Sequence, residues 1–202
     1  MTYVAFEGGE GSGKSTQARI LAERIGAVLT HEPGATPLGT SLRKLLLDPD
    51  GAPVDPRTET LLMAADRAQH LAEVVRPALA EGRVVVSDRS VHSSLAYQGG
   101  GRELGVDAVR RVNDWAIDGR WPDVVVYLDV DQGSARARLD RKLDRLEQED
   151  RSFHERIQAT YRELADTEGW IRVSADGSIE EVAERVWKAV EPLVAPALRA
   201  GS

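Results

Sequence analysis

The sequence predicts an α/β fold: a doubly wound, parallel five-stranded sheet with helices on both faces. Short segments rich in β-branched residues alternate along the 202 residues with longer helical patterns, as in proteins built from strand–helix–strand units. The runs at 84–86 and 124–126 are continuously apolar, which is typical of parallel strands buried on both faces. The sequence contains no linker and no internal repeat, so we expect a single domain over residues 1–202.

Turn and capping residues separate the predicted elements. Gly26 and Gly82 follow two helical patterns, where glycine can take the left-handed conformation that ends a helix. Pro77 lies late in the third helix, and we expect it to kink or shorten that helix because proline removes a backbone hydrogen bond. Ser178 and Glu181 have the spacing of a capping box before the last helix. The predicted strands are 3–6, 27–30, 83–87, 124–128 and 170–173, and the predicted helices are 15–25, 38–47, 57–81, 90–97, 105–118, 131–140, 151–167 and 178–195.

Composition and charge exclude several classes of protein. The chain has no cysteine, which excludes a disulfide scaffold and cysteine-ligated metal sites. A net charge of −7 argues against broad binding to nucleic acid or to a membrane surface. No apolar run approaches the roughly 20 residues of a membrane span, and the first residues lack a signal-peptide pattern. We therefore expect a soluble, cytoplasmic protein that binds neither nucleic acid nor membranes.

Glycines and charged residues follow the first three predicted strands. The first strand runs into Glu7 and a glycine-rich loop, the second into H-E-P-G at 31–34, and the third into Asp88 and Arg89. In open parallel sheets, ligands bind at the carboxyl ends of the strands. These residues are therefore predicted to line one crevice.

The glycine-rich loop has the pattern of a phosphate-binding P-loop. Residues 8–15 read G-G-E-G-S-G-K-S, between a predicted strand and a predicted helix. Glycines let backbone N–H groups turn toward a phosphate, Lys14 can reach the β- and γ-phosphates, and the Ser15 hydroxyl can ligate Mg²⁺. The alternative, an ordinary turn with an exposed lysine, does not explain this context. The residues predicted to bind ATP here are Gly8, Gly9, Glu10, Gly11, Ser12, Gly13, Lys14, Ser15 and Thr16.

Other features separate the classes of P-loop protein. A guanine-nucleotide switch needs an N-K-x-D motif, but the single asparagine, Asn113, is followed by Asp114 and Trp115. A regulatory or motor ATPase usually needs partner-contacting modules, for which this chain has little room. A kinase needs a second anion site and a basic lid, and the charged stretch at 141–151 supplies basic residues. The sequence thus favours a kinase.

Four further motifs accompany the loop F-E-G-G-E-G-S-G-K-S-T. They are E-P-G at 32–34, D-R at 88–89, A-Y-Q-G-G-G-R at 96–102 and L-D-R-L-E-Q-E at 143–149. In this combination the chain resembles bacterial thymidylate kinase, from about residue 3 to the last helix. The resemblance implies a P-loop domain of the nucleoside monophosphate kinase type, a lid at about 138–151 and a homodimer. It also implies Mg²⁺-dependent transfer of the γ-phosphoryl group of ATP to thymidine 5′-monophosphate (dTMP).

The resemblance assigns the nucleoside of dTMP to five side chains. Glu10 would accept a hydrogen bond from the sugar 3′-hydroxyl, and Tyr97 would pack under the deoxyribose. Ser94 and Gln98 would reach the pyrimidine edge, and Arg67 would donate to the carbonyl at position 4. From the residues alone, Tyr97 could equally be a core aromatic.

Other matched positions would hold the phosphates and the metal ion. Arg89 and Arg43 would bind the acceptor phosphate, and Glu32 would orient these arginines or water molecules. Asp88 would join Ser15 at Mg²⁺. Four alternatives stay open from the residues alone: Arg43 as a solvated helix charge, Asp88 as a helix N-cap, Arg89 as a structural salt bridge and Glu32 as a turn cap.

The lid segment carries many arginines. Positions 9–12 of the P-loop hold no arginine, so the cation that stabilises the transferred phosphoryl must come from elsewhere. We expect Arg141 and Arg145 to supply it, as in family members that place this arginine in the lid. With Lys14 and Arg89 they form the predicted catalytic set. Arg136 and Arg138 are expected to stack on adenine, and the loop at 174–177 either closes its other side or only caps the last helix.

Several positions depart from the family pattern. His31 replaces the usual arginine, Ala35 a glycine, Thr40 a frequent glutamate, and Met63 the phenylalanine that stacks on thymine; the usual glycine-containing step before L-D-R reads D-R-K. These departures leave two alternatives: a kinase for another nucleoside monophosphate such as deoxyuridylate (dUMP), or a catalytically weakened regulatory paralogue.

We predict that Met63→Phe lowers the KM for thymidylate in a steady-state assay. Stacking of an aromatic ring on a base is worth about 1–3 kcal/mol, whereas a thioether against a ring gives about 0.3–1.5 kcal/mol. An unchanged or raised KM would mean that Met63 does not contact the base.

Overall fold

The predicted fold class is confirmed. A computed structural model describes residues 2–130 and 143–200, in which five parallel strands form one sheet in the order β2-β3-β1-β4-β5. Each strand agrees with its predicted position within two residues. The strands are Tyr3–Glu7 (β1), Val28–His31 (β2), Val85–Asp88 (β3), Val124–Asp129 (β4) and Ile171–Ser174 (β5).

The helices follow the predicted order, and within the described residues none is long and apolar enough to cross a membrane. Two π-helical segments, Leu71–Val75 and Leu95–Gly101, continue α3 and α5. The predicted helix at 131–140 lies outside the described residues. The α-helices are Lys14–Ile25 (α1), Pro37–Leu47 (α2), Pro56–His70 (α3), Arg76–Ala80 (α4), Val91–Ser94 (α5), Val106–Ile117 (α6), Arg151–Thr167 (α7) and Ile179–Ala200 (α8).

Alternate residues of the strands pack on opposite faces of the sheet. Val4 and Phe6 of β1 join a core cluster with side chains of α1 and α8, whereas Tyr3 packs with the α3–α4 region on the other face. In β4, Val126 faces the first cluster and Tyr127 contacts α7. Helices therefore cover both faces, as the continuous apolar runs of the strands predict.

Three predicted helices differ from those observed. The single helix predicted at 57–81 is divided by a π-helical segment, and Pro77 lies in the first turn of α4, where its missing N–H costs little. The helix predicted at 90–97 changes from α to π geometry at Leu95 and runs to Gly101. The last helix contains Pro192 and Pro196 and passes its predicted end at residue 195, and Leu198, beyond that end, packs against the core cluster on this face of the sheet.

The three predicted caps are confirmed, and Gly82 follows α4 with φ +79°. Gly26 ends α1 with φ +65°, and its N–H donates to the carbonyl oxygen of Ala22. The Ser178 N–H donates to Glu181 (2.8 Å), and the Glu181 N–H donates to the Ser178 hydroxyl (3.2 Å), which forms the capping box before α8.

The register of the sheet places the predicted site at the carboxyl ends of the strands. Asp88 of β3 pairs with Phe6 on one side and with His31 on the other. The P-loop, the E-P-G turn and the D-R pair therefore leave the sheet side by side.

His92 is buried between two indole rings below this edge. Its ring centroid lies 4.7 Å from that of Trp170 and 5.3 Å from that of Trp121. Burial, reinforced by the nearby Arg110, lowers the pKa of His92 to about 3. The folded protein thus holds this imidazole uncharged at neutral pH.

We predict that His92 makes the protein less stable as the pH falls below its ordinary pKa of 6.5. Between that value and a pKa of about 3 the unfolded chain binds one proton more at this site, which lowers the free energy of unfolding by up to about 1.4 kcal/mol per pH unit. His92→Gln removes this contribution, so urea unfolding should show a shallower pH dependence from about 6.5 to 5. An unchanged slope in His92→Gln would contradict the prediction.

Candidate functional site

The loop after β1 is shaped to receive phosphate groups. Gly8, Gly11 and Gly13 have φ angles of +145°, +72° and +88°, values that favour glycine. A Cβ atom on Gly8 would also lie 2.7 Å from the carbonyl oxygen of Leu128. Lys14 begins α1 and donates to the Gly9 carbonyl oxygen at 2.7 Å. The loop and its lysine therefore lie at a helix N-terminus, where backbone N–H groups and the helix dipole favour anions.

Ser15 and Asp88 meet at the edge of this loop. The Ser15 hydroxyl donates to Oδ2 of Asp88, while Oδ1 of Asp88 is buried and has no hydrogen-bond partner among the described residues. Ser90, not Asp88, is the N-cap of α5, because its own hydroxyl accepts from the His92 N–H. The N-cap alternative for Asp88 is therefore wrong. A carboxylate and a hydroxyl oxygen side by side fit the oxygen ligands that Mg²⁺ prefers.

Arg89 occupies the centre of the site in a strained conformation. Its φ is +72°, unusual for a residue with a side chain. The guanidinium pairs with Glu10 and donates to the hydroxyl oxygens of Tyr97 (3.1 Å), Ser93 (3.2 Å) and Tyr161 (3.3 Å). Burial alone would lower the pKa of Arg89, but Glu10 outweighs it and holds this pKa well above its usual range.

Glu10 points from the P-loop toward this arginine. The Tyr97 hydroxyl donates a hydrogen bond to Oε1 of Glu10, with an oxygen–oxygen distance of 3.0 Å. Burial would raise the pKa of Glu10, but Arg89 and Lys14 hold it well below its usual range. The side chain is therefore an ionised hydrogen-bond acceptor on the arginine side of the crevice.

Arg67 is almost fully buried and nearly saturated with hydrogen bonds. Nε donates to Glu32 (2.8 Å), Nη1 donates to Ser94 (3.1 Å) and to Asn113, and Nη2 donates to the Ser90 carbonyl oxygen (3.2 Å). Four of its five N–H groups thus have partners among the described residues. Glu32, expected to orient Arg89 and Arg43, pairs instead with Arg67 and with His70 (both 2.8 Å).

Gln98 is held by a buried carboxylate of α3. Its Nε2 atom donates to Glu59 at 2.9 Å. The same carboxylate accepts from Arg102 (3.1 Å) and from Arg145 (3.4 Å). Arg145, expected to approach a phosphate, thus contacts the side of the site that holds Gln98.

The side chains of Glu10, Arg67, Arg89 and Gln98 line one cavity of about 550 Å³. Arg43 also lines it and donates to the Pro33 carbonyl oxygen at 2.8 Å. Met63 is 8% exposed and packs with Tyr97 in one apolar cluster. The cavity brings together all nine side chains predicted to bind the acceptor and, beside them, Lys14, Ser15 and Asp88; the nine are Glu10, Glu32, Arg43, Met63, Arg67, Arg89, Ser94, Tyr97 and Gln98.

The other lid-region arginines that the structure describes, Arg151 and Arg156, do not line the cavity. Arg136, Arg138 and Arg141 fall outside the described residues. Arg151 pairs with Glu155 on the exposed face of α7 (2.7 Å), and Arg156 donates to a backbone carbonyl oxygen of the π-helical segment (2.9 Å).

Two buried carboxylates behind the cavity differ from the predictions: Glu7, expected to line the crevice, lies behind its wall, and Glu59 is not among the predicted residues. Glu7 accepts from Ser90, Ser93 and Tyr161, and Glu59 holds Gln98. The position of Glu7 at the end of an apolar strand is a local sequence signal for a buried carboxylate. No spacing in the sequence indicates that Glu59 contacts Gln98.

Comparisons with known proteins agree with this geometry. The family model for thymidylate kinase matches residues 6–186. The thymidylate kinase of Halothermothrix orenii is 47% identical over 199 residues, covering 94% of this chain and 96% of the relative. The thymidylate kinase of Leifsonia xyli subsp. xyli is 45% identical over 193 residues, covering 91% of each chain.

A solved structure shows the same fold. The crystal structure of thymidylate kinase from Ehrlichia chaffeensis matches with a TM-score of 0.78 and 28% identity, covering 94% of this chain and 98% of that one. The family match spans most of the chain, and the residues that the sequence motifs place at the strand ends meet in one cavity. This chain belongs to the thymidylate kinase family.

Proposed function

We propose that this chain transfers the γ-phosphoryl group of ATP to dTMP and so forms ADP and dTDP for dTTP synthesis. The observation that carries the proposal is the single cavity in which the P-loop lysine lies beside arginines suited to a nucleoside monophosphate. Donor and acceptor phosphates can meet there without crossing a protein wall. Since phosphoryl transfer needs little covalent work from the protein, positioning and charge neutralisation account for catalysis.

The donor side consists of the P-loop and the end of β3. Backbone N–H groups at 8–16 and the Lys14 ammonium would bind the β- and γ-phosphates. Ser15 and Asp88 would hold Mg²⁺, and the unpaired buried Oδ1 of Asp88 supports this assignment. When bound, Mg²⁺ neutralises charge that develops on the phosphate oxygens.

The acceptor phosphate is proposed to bind Arg89 and Arg43. Arg89 is already fixed by hydroxyl groups and by its backbone turn, so little conformational entropy is lost when it binds an anion. Glu10 then accepts from the sugar 3′-hydroxyl, and its negative charge stays on the arginine side of the crevice. Tyr97 packs under the sugar and leaves no room for a 2′-hydroxyl.

The base is proposed to lie between Met63 and the polar side chains of the inner wall. Arg67 has one N–H without a partner among the described residues, which suits the single carbonyl at position 4 of thymine. Ser94 supports that guanidinium as well as lining the pyrimidine edge. Gln98 faces the remaining edge of the base.

Lid arginines complete the proposed catalytic set. Arg141 and Arg145 would neutralise the transferred phosphoryl group beside Lys14 and Arg89, and Arg136 and Arg138 would stack on adenine. In the described conformation Arg145 contacts Glu59, so its proposed role requires a closing movement of the lid.

The first experiment is coupled ADP release with Mg·ATP and a panel of acceptors. We expect the kcat/KM for dTMP to exceed that for dUMP by about tenfold or more, since the 5-methyl group fills apolar space. Uridylate should be inactive because Tyr97 excludes its 2′-hydroxyl group.

Two controls separate the alternatives. Without an acceptor, ADP release should be negligible. A rate of ADP release that is the same with and without every acceptor would support a regulatory nucleotide-binding protein instead. A preference for dUMP or another monophosphate would still support kinase activity but would contradict the proposed contacts with thymine.

We also propose that the chain forms a homodimer through α2, α3 and α6. Helix α3 packs against both α2 and α6, and each of the three helices exposes large apolar side chains. A single exposed apolar residue is ordinary, but a group on adjacent helices marks an association surface. The exposed residues are Leu38, Leu45, Leu61 and Trp115.

We predict that Leu61→Glu converts the dimer to a monomer, measured by light scattering during size-exclusion chromatography. A charge at the centre of this apolar surface would be buried without a partner in the dimer. Leu193→Glu is the matched control, because Leu193 is similarly exposed but lies on α8, which covers the other face of the sheet. A monomeric wild type, or equal effects of the two variants, would contradict the proposed surface.

A further inference from the structure

Glu59 is a fully buried carboxylate that does not line the cavity. It lies in the first turn of α3, with no measurable exposure to solvent. Arg102 donates to both of its oxygens (3.3 and 3.1 Å), and Arg145 donates to one of them (3.4 Å). The remaining donor among the described residues is the side-chain amide of Gln98, at 2.9 Å.

The surroundings of Glu59 decide which end of the Gln98 amide faces it. A carboxylate paired with two guanidinium groups is ionised and can only accept hydrogen bonds. An amide has a donor end and an acceptor end of nearly equal size, so it can bind in either of two orientations. Turning the Gln98 amide would place its oxygen against a buried carboxylate oxygen, which leaves two acceptors without a proton between them. The nitrogen is therefore held toward Glu59.

The opposite end of the amide is then available to a ligand. Gln98 lines the cavity, and its Oε1 atom accepts no hydrogen bond within the described residues. In thymine and uracil, N3 carries a proton and can donate to this oxygen. In cytosine, N3 is an acceptor, and the group at position 4 is an amine facing the donor on Arg67. Both side chains thus match thymine and oppose cytosine.

We infer that Glu59 is a specificity-determining positioning residue: it holds the Gln98 amide so that an acceptor oxygen faces N3 of the pyrimidine. This inference rests on the proposed placement of the base against Gln98. Glu59 touches neither the substrate nor the reacting atoms and acts only through Gln98.

The test compares kcat/KM for dTMP and for deoxycytidylate (dCMP) in Glu59→Gln. The new amide can offer either a donor or an acceptor, so Gln98 is free to turn. We expect the ratio of the two kcat/KM values to fall by about tenfold, the scale of one mismatched buried hydrogen bond. Arg67 still opposes cytosine, so some preference for dTMP remains. Because both acceptors use the same lid, a change in Arg145 cancels in this ratio.

Arg102→Gln is the matched control. It removes one cation from the same buried cluster but leaves the Glu59 carboxylate facing Gln98. Its dTMP-to-dCMP ratio should stay at the wild-type value. Equal losses of discrimination in both variants would overturn the inference, since they would reflect general disruption of the cluster.

Gln98→Ala separates this inference from the proposed function. If Gln98→Ala leaves the ratio unchanged, the base does not lie against Gln98 and the proposed placement itself fails. If Gln98→Ala lowers the ratio and Glu59→Gln does not, the placement stands and the role of Glu59 is overturned.

A measurement on the wild type covers the case in which Glu59→Gln does not fold. The side-chain NH₂ signals of Gln98 can be assigned by their loss in Gln98→Ala and followed by hydrogen exchange with and without dTMP. We expect one of the two protons to exchange slowly in both states. Exchange of both protons at the rate of an exposed glutamine would overturn the inference.

Discussion

The site depends on the buried carboxylate of Glu7, at the end of the central strand. Burial raises its pKa, while its hydrogen bonds favour the charged form. It accepts from the N–H and hydroxyl of Ser90 (both 2.8 Å) and from the hydroxyls of Ser93 (2.6 Å) and Tyr161 (2.9 Å). These bonds join β1, the turn after β3 and α7 at one point. Since Ser93 and Tyr161 also accept from Arg89, Glu7 fixes the strained turn and the guanidinium that it presents to the cavity.

Three more acidic side chains, two lining the cavity and one behind it, are likewise paired with hydrogen-bond donors. Glu10 is paired with Arg89, Glu32 with Arg67, and Glu59 with Arg102. Leaving one member of a fully buried pair such as Glu32–Arg67 without its partner costs about 3–5 kcal/mol, so this pair fixes the position of its arginine. The site is therefore ordered before a nucleotide enters, as catalysis by positioning requires. A protein of net charge −7 can in this way present cations to a polyanion.

Local signals account for what the sequence predicts well. The P-loop, the E-P-G turn and Asp88–Arg89 each follow a strand directly, so the parallel sheet alone brings them to one edge. Contacts between distant segments are different: Glu59 and Gln98 are 39 residues apart, and Glu7 and Tyr161 are 154 apart. No pattern along the chain encodes such pairs. The π-helical segment at Leu95–Gly101 was also missed, because it closes against α7 through glycines whose tertiary packing overrides helix propensity.

The contacts of Glu59 also bear on how a lid arginine could move to the phosphates. Arg102 binds Glu59 through two N–H groups and binds Glu149 at 2.6 Å, whereas Arg145 reaches Glu59 by one bond of 3.4 Å. The Nε of Arg145 is buried and has no partner among the described residues. Arg145 can therefore leave without exposing an unpaired carboxylate, because Arg102 and Gln98 still satisfy Glu59. An unpaired buried N–H is unfavourable, so in the proposed role of Arg145 a phosphate that accepted from it would supply the missing hydrogen bond.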